Sequence, residues 1–328
     1  MIASLRRRLL AALALSAATF CVTAAGPAAA PAPAAAATPA AIVAAGACDR
    51  ACLTGLVDQY LEALVAHDAA RLPLRKDARF TENGQTLRMN DGLWGTAEGL
   101  GDYKLYFADP LAGQVGFFGT VRESGRLALL ALRLKVEGRK ITEIESVVAR
   151  TAGTGPSRFA DLKDQPLFHE KLAPADRRSR QELAAVANSY FEGLEQATGK
   201  VTPFFPDCTR IENGSVTANN PAAPNAMGKL SCGAQFDTGF SPFITEVRGR
   251  RYPVIDEDYG LVLALVAFDH SGRIKTVKET DGTILHVPAP FDAPYSFMIA
   301  ELFKVKGGRI ARVEAVLLTT PYAMPSGW

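Results

Sequence analysis

Apolar residues recur at helical spacing in two separate stretches of the chain, near residues 53–64 and near residues 183–194. In both stretches the apolar positions follow the i, i+3, i+4, i+7 pattern, which places them on one side of a helix. The positions are Leu53, Leu56, Val57, Tyr60, Leu61 and Leu64 in the first stretch, and Leu183, Val186, Ala187, Tyr190, Phe191 and Leu194 in the second. Each stretch therefore predicts a helix that covers a hydrophobic core.

Apolar runs separated by short glycine turns predict strands that close each helix-led segment. The predicted pairs are residues 127–136 with 141–148, and residues 298–305 with 309–317. Residues 259–268 add a long apolar strand before a predicted hairpin turn at residues 269–272, which contains His270. A helix followed by such strands predicts an α+β fold, in which the helix packs on one face of a curved, mainly antiparallel sheet.

The two helix-led segments are copies of one unit. Residues 60–64 (Tyr-Leu-Glu-Ala-Leu) and 82–84 (Glu-Asn-Gly) have counterparts 130 residues later, as Tyr-Phe-Glu-Gly-Leu and Glu-Asn-Gly. Further matches occur at separations of 147 and then 169 residues, so the second copy contains insertions of 17 and 22 residues. We place the first copy at residues 48–150, a linker rich in Gly, Pro and charge at 151–179, and the second copy at 180–328.

The residues before the first copy have a composition of their own. Three arginines at 6–8, an apolar run and a small-residue cleavage site predict an export signal over residues 1–24. The Ala/Pro-rich residues 25–47 predict an extended tether. The formal net charge of +2 becomes −1 when the three arginines are removed. Because this charge is near zero, we expect an exported, periplasmic or secreted protein that binds neither nucleic acid nor, after signal removal, a membrane.

Four cysteines follow the predicted signal, which is the composition expected of a disulfide-containing exported protein. Cys208 and Cys232 lie in the same copy and are predicted to pair. Cys48 and Cys52 can be bridged only if Cys48 lies before the first regular helical turn. Since no histidine lies at ligand spacing from either pair, the sequence predicts no metal site.

The first copy opens with residues 60–68 (Tyr-Leu-Glu-Ala-Leu-Val-Ala-His-Asp) and a strand at 78–83 (Ala-Arg-Phe-Thr-Glu-Asn). This pattern resembles the start of the cone-shaped fold shared by steroid delta-isomerases, SnoaL-like polyketide cyclases and nuclear transport factor two. The tandem form, with both Glu-Asn-Gly motifs and Gln-Phe-Asp-Thr-Gly at 235–239, resembles a group of secreted bacterial and fungal proteins. The resemblance implies two tandem cone-like units. It places Glu82 where the isomerases have a carboxylate base and Tyr60 where they have an oxyanion-binding tyrosine, whereas their second, protonated acid has no matching position.

The alternation of side chains along a strand predicts different neighbours for the two motif glutamates. Glu82 shares a strand face with Phe80, so an apolar environment would raise the pKa of this carboxyl toward the range of a general base. The alternative is an ion pair with an arginine at the sheet rim. Glu212 shares its face with Arg210, which favours an ion pair. The first copy is therefore the favoured catalytic site, with Glu82, Tyr60 and Asn83 as its candidate residues.

A second group of residues is predicted to bind the ligand. It contains Trp94, Phe80 and Phe117 in the first copy, and Tyr190, Glu212 and Asn213 in the second. Each has a structural alternative, because aromatic side chains usually lie in the core and Asn-Gly is foremost a turn signal. The four histidines are scattered and indicate neither a metal site nor a catalytic triad.

The sequence lacks the Gly-x-Gly-x-x-Gly, P-loop and Gly-x-Ser-x-Gly motifs, which gives no support to a nucleotide cofactor or to serine hydrolysis. Together with the resemblance, this predicts a cofactor-free isomerase or lyase that transfers a proton on a small apolar molecule, aromatic or polycyclic. The alternative is a non-catalytic binding or interaction module in which the second copy acts as a built-in dimer partner. The sequence also leaves open that the protein forms a homo-oligomer. This fold hosts both kinds of protein.

Overall fold

The structure, a computed structural model, describes residues 48–151 and 159–328. The predicted signal and tether, residues 1–24 and 25–47, lie outside the described residues. Within the described ranges, no helix is long and apolar enough to cross a membrane.

The first copy is a long helix followed by the strands of one six-stranded sheet. Its elements are α1 (Arg50–Val65), β1 (Leu74–Glu82), β2 (Gln85–Thr86), α2 (Leu93–Thr96), β3 (Ala97–Asp109), β4 (Gln114–Glu123), β5 (Arg126–Glu137) and β6 (Lys140–Ala149). The sheet order is β2-β1-β6-β5-β4-β3, and all neighbours are antiparallel except β1 and β6. Helix α1 begins at the N-cap Asp49, whose side chain accepts a hydrogen bond from the Cys52 amide.

The second copy repeats this topology and adds elements between the repeated strands. After α3 (Pro166–His169) in the linker, its elements are α4 (Arg180–Glu195), β7 (Phe204–Glu212), β8 (Ser215–Ala218), α5 (Ala226–Lys229), α6 (Cys232–Asp237), β9 (Glu246–Asp256), β10 (Leu261–Ser271), β11 (Thr276–Lys278), β12 (Ile284–His286), β13 (Pro294–Lys306) and β14 (Arg309–Thr320). The main sheet has the order β8-β7-β14-β13-β10-β9, while β11 and β12 form a separate hairpin. A capping box of Ser179 and Glu182 starts α4.

The predicted α+β class, both long helices and both closing hairpins are confirmed. One turn prediction is wrong: residues 269–271 continue strand β10, so His270 lies within the sheet and is 1% exposed. The reason is that β10 pairs with β13 as far as Ser271 and Pro294, so the chain reverses later than the Asp-His-Ser-Gly pattern suggested.

The described residues form four hydrophobic clusters, of which the smallest lies around Phe243, Val277 and Val287 in the second copy. In each copy, one cluster lies between the long helix and the sheet of that copy. The third joins the opposite faces of the two sheets, and includes Phe107, Phe118 and Leu129 of the first copy with Leu263 and Leu302 of the second. Burying these faces against each other removes a large apolar area from water. The prediction that the copies pack against each other is therefore confirmed.

The predicted linker contributes to this interface. Its Phe159 and Phe168 are each 1% exposed and belong to the cluster between the copies. The described part of the linker is therefore packed into the protein, although its composition predicted only a connecting segment.

Candidate functional site

The second copy encloses a cavity of about 200 Å³ between α4 and the concave face of its sheet. Its wall is mostly apolar and aromatic, with Leu194, Phe240, Phe243, Ile244, Phe268, Phe291, Phe297, Ile299, Ala315 and Leu317. Four of these side chains come from the regions that hold the two insertions, residues 219–245 and 272–293. The insertions thus supply one side of an apolar cavity of the kind that binds small molecules.

Polar side chains from α4 and from three strands reach the same cavity: Tyr190, Arg210, Glu212, His270 and Glu301. Arg210 Nη2 donates to Glu212 Oε1 over 2.9 Å, which is the ion pair that their shared strand face predicted. The Glu212 side chain remains 36% exposed. No described residue bonds the Nε of Arg210, which is itself buried.

Glu301 is the more deeply buried of the two acids, at 3% exposed, and the Tyr190 hydroxyl lies close enough to interact with its carboxyl. Burial, reinforced by the charge of Glu212, raises the pKa of Glu301 to about 8, so its carboxyl is protonated at neutral pH. Burial also raises the pKa of the Tyr190 hydroxyl well above its ordinary value. Within the described part of the chain, Glu301 Oε2 has no partner. Two neutral hydroxyl groups that can donate hydrogen bonds therefore meet at one wall of the cavity.

His270 lies at another part of the wall among aromatic rings. Its ring stacks on that of Tyr295, with centroids 4.5 Å apart. Burial lowers the pKa of His270 to about 4, so the imidazole is neutral at pH 7. No described group bonds its buried Nδ1. A neutral, packed histidine of this kind contributes surface to the cavity wall.

Glu82 of the first copy has a different environment. Its Oε2 accepts the Leu93 amide N–H over 2.7 Å, and its Oε1 accepts from Arg150 Nη2 over 3.1 Å. Gly92 lies so close that a Cβ there would come within 2.6 Å of Oε2. These partners bond both carboxylate oxygens, and the Glu82 side chain is 6% exposed. They favour the ion-pair alternative for Glu82 over the general-base interpretation.

The aromatic residues predicted to bind a ligand in the first copy are packed together in its core. Trp94 is fully buried and donates from Nε1 to the Tyr60 hydroxyl over 2.9 Å. Phe80 and Phe117 belong to the same cluster and are 4% and 1% exposed. The structure thus gives Trp94, Phe80 and Phe117 the core role that was their alternative.

Asn83 and Asn213 clamp the parallel strand pair of each copy. The Asn83 side chain accepts the Val148 amide over 2.7 Å, and the Asn213 side chain accepts the Leu317 amide over 2.9 Å. Both asparagines have positive φ, 50° and 45°, as the turn before a following glycine requires. The side-chain amide continues the ladder where the backbone turns away, so both residues have a structural role.

The structure contains disulfides between Cys208 and Cys232 and between Cys48 and Cys52. The first is the predicted pair. The second satisfies the condition that the sequence set, because Cys48 lies before the helix that begins at Arg50.

Sequence reasoning missed Glu301 and did not place His270 in a site. A signal for Glu301 was present, since it interrupts an otherwise apolar strand, Phe297 to Phe303. The equivalent position of the first copy, 169 residues earlier, is Leu132. A charged residue at a buried strand position is a candidate functional residue.

Two copies of a helix packed on a curved, mixed six-stranded sheet define the tandem cone-like fold that the sequence resembled. The chain belongs to the family described as domain of unknown function (DUF8021), whose model matches residues 47–148 and 176–317. The two matched segments correspond to the two copies. Among curated proteins, none matches the sequence.

Several solved structures match one part of the chain at low identity. A protein of unknown function with a cystatin-like fold from Methylobium petroleophilum is 16% identical and covers 33% of this chain and 82% of its own, with a TM-score of 0.27. AusH from Aspergillus nidulans is 15% identical over 43% of this chain and 86% of its own, with a TM-score of 0.27. BvnE pinacolase from Penicillium brevicompactum is 14% identical over 43% of this chain and 88% of its own, with a TM-score of 0.24.

Proposed function

We propose that the second copy is a cofactor-free isomerase or lyase site that transfers a proton on a small, apolar, ring-containing carbonyl compound. The observation that carries this proposal is the meeting of Tyr190 and protonated Glu301 in an apolar cavity that Glu212 also lines. A buried neutral acid beside a tyrosine is a donor pair suited to an oxygen that gains negative charge in the transition state.

The residues have distinct roles in this proposal. Glu301 donates a hydrogen bond to the carbonyl oxygen of the substrate, and Tyr190, which lies beside Glu301, orients the carboxyl. Glu212 forms an ion pair, as Glu82 does, but it is 36% exposed and lines the cavity, so it can reach the substrate. It removes a proton from the carbon next to the carbonyl and returns it to another atom of the same molecule. Arg210 holds Glu212 in place through their 2.9 Å contact. The aromatic wall excludes water, which strengthens these electrostatic interactions.

The disulfides support an exported protein, because such bonds persist in oxidising compartments such as the periplasm or the cell exterior. A second candidate function keeps the same cavity without catalysis. The extensive contact between the copies favours it, since a tandem pair that buries its own sheet faces needs no further partner to serve as a stable binding module.

The test begins with a screen of the mature protein against bicyclic enones and other unsaturated ketones, with release or migration of the proton followed by absorbance. Tyr190→Phe and Glu301→Leu each remove one donor, so turnover should fall by about 10²-fold or more. Glu212→Gln should lower it by about 10²–10⁴-fold. Melting temperatures measured alongside separate a catalytic loss from unfolding.

Glu82→Gln is the matched control, because it makes the same change at the equivalent position of the first copy. It should leave turnover near the wild-type rate. Loss of turnover in this variant would place the chemistry in the first copy instead. Unchanged turnover in Tyr190→Phe, Glu301→Leu and Glu212→Gln would exclude the proposed roles, and a bound ligand without turnover would favour the binding module.

A further inference from the structure

A groove of about 650 Å³ lies between the two copies, next to the cavity. Four positions of the first copy line it, and the same four positions of the second copy line the opposite side. They are Asn83, Val148, Ala149 and Arg150, with Asn213, Leu317, Leu318 and Thr319 as their counterparts. The groove is therefore built by the repeat itself, where the ends of β6 and β14 come together.

The groove and the cavity meet at three side chains. Glu212, Phe297 and Leu317 line both spaces, and all three are partly exposed. The equivalent carboxylate of the first copy is covered by Arg150, but Thr319, at the position equivalent to Arg150, is too short to cover Glu212 in this way. Glu212 therefore lies at the boundary between a mostly apolar space and a more polar one.

The size of the cavity limits what it can hold. Sites for drug-sized ligands measure about 300–1,000 Å³, so a cavity of about 200 Å³ accepts a ring system of about two fused rings. A larger ligand must extend past Glu212 into the groove.

The groove also indicates the chemistry of the extending part. Its two charged side chains already have partners, Arg150 with Glu82 and Glu123, and Glu212 with Arg210. The other polar groups on its walls include the hydroxyls of Ser215, Thr217 and Thr319. Hydroxyl groups both donate and accept, which suits neutral hydroxyl or carbonyl groups of a ligand.

We infer that the groove is the second half of the binding site and that the ligand is an elongated neutral molecule, with a compact ring system in the cavity and a hydroxyl- or carbonyl-bearing tail between the two copies. This inference rests on the proposed function of the cavity. It assigns the first copy a direct role in ligand recognition, as one wall of the groove.

Three fluorescent probes share one ring system and differ in the tail: 2-naphthol, 2-naphthyl β-glucoside and 2-naphthyl phosphate. Thr319→Tyr fills the groove, so it should weaken binding of the glucoside by about tenfold, an effect of about 1.4 kcal/mol. The affinity for 2-naphthol should stay within about twofold of the wild-type value. Thr86→Tyr is the control, because Thr86 is another exposed strand threonine and lies outside the groove walls. The phosphate should bind no more tightly than the glucoside.

The outcomes separate this inference from the proposed function. Ala315→Leu reduces the volume of the cavity and should weaken the binding of all three probes. If it does so while Thr319→Tyr leaves glucoside binding unchanged, the cavity binds ligands and the groove inference is overturned. Phosphate binding about tenfold tighter than that of the glucoside would overturn the neutral tail. If the wild-type protein binds none of the probes, both the ligand class and the proposed cavity function fail.

Discussion

The two copies share a strand order, a buried tyrosine and a Glu-Asn-Gly motif, yet the shared acid and tyrosine have different neighbours in each, and in the second copy they line a cavity. At the motif glutamate the difference is large, since the side chain of Glu82 is 6% exposed and that of Glu212 is 36% exposed. Arg150 covers Glu82, and the equivalent residue of the second copy is Thr319. Both acids form an ion pair, so the long side chain of Arg150 decides whether the motif acid is covered or exposed.

The tyrosines show the same contrast. Trp94 packs against Tyr60 with ring centroids 5.2 Å apart and also bonds its hydroxyl. Phe236 packs against Tyr190 at 5.1 Å but carries no donor, which leaves the Tyr190 hydroxyl to Glu301. The comparison teaches that a repeat can keep its fold in both copies while substitutions at a few contacts change the environment of the same acid and tyrosine.

The largest expected difference concerns the buried acid that the first copy replaces with Leu132. The pKa of Glu301 rises from 4.5 to about 8 on folding, so the folded state keeps a proton that the unfolded state loses. The free energy of unfolding should therefore fall as the pH rises from about 4.5 to about 8, by up to about 1.4 kcal/mol per pH unit for this group. Glu301→Leu should remove this dependence.

Urea unfolding at several pH values measures this effect as the difference between wild-type and variant. Glu314, whose pKa burial raises to about 7, adds a dependence of the same sign to both proteins and cancels in the difference. If the free energy of unfolding has the same pH dependence in the two proteins, Glu301 ionises normally and cannot act as the proposed hydrogen-bond donor.

A smaller effect is expected at the matched pair Arg150 and Thr319. Arg150→Leu leaves Glu82 buried without its cation and should cost about 2 kcal/mol, less than the ~3–5 kcal/mol of a fully buried pair because Arg150 is 40% exposed. Thr319→Leu has no buried ion pair to break and should change stability by less than about 0.5 kcal/mol. Denaturant midpoints for both variants make the comparison, and a second change, Glu82→Gln, should restore part of the loss in Arg150→Leu. Equal midpoints would mean that Glu82 does not depend on Arg150.

The smallest effect concerns the tyrosine contacts. Trp94→Phe gives Tyr60 the kind of neighbour that Tyr190 has and removes one buried hydrogen bond, which should lower the free energy of unfolding by about 1–3 kcal/mol, with a value near 1 expected since the ring contact remains. Turnover by the second copy should be unchanged. A change in turnover without a change in stability would indicate that the first copy takes part in the chemistry.

Local patterns predicted much of the fold. The helical stripe around Tyr60 and its repeat around Tyr190, the hairpins with glycine turns and the Cys208–Cys232 pair all depend on residues close in sequence or on composition. The turn at residues 269–272 was predicted too early, because the length of a strand depends on its partner, and β13 pairs with β10 beyond the point where the local pattern suggests a turn. The candidate site was less accessible to prediction, since its acid, Glu301, lies 111 residues from its tyrosine.

The sequence by itself determined that the chain contains two copies of one α+β unit, that the second carries two insertions, and that a glutamate and a tyrosine recur at matched places. Only the tertiary structure showed that the motif glutamate is covered in the first copy and exposed in the second. Arg150 reaches Glu82 across 68 residues of chain, and the insertions supply Phe243 and Phe291 to the cavity wall. The physical reason is that pKa, exposure and cavity volume depend on the neighbours a side chain has in space, and strand alternation in one sequence shows only which way that side chain points.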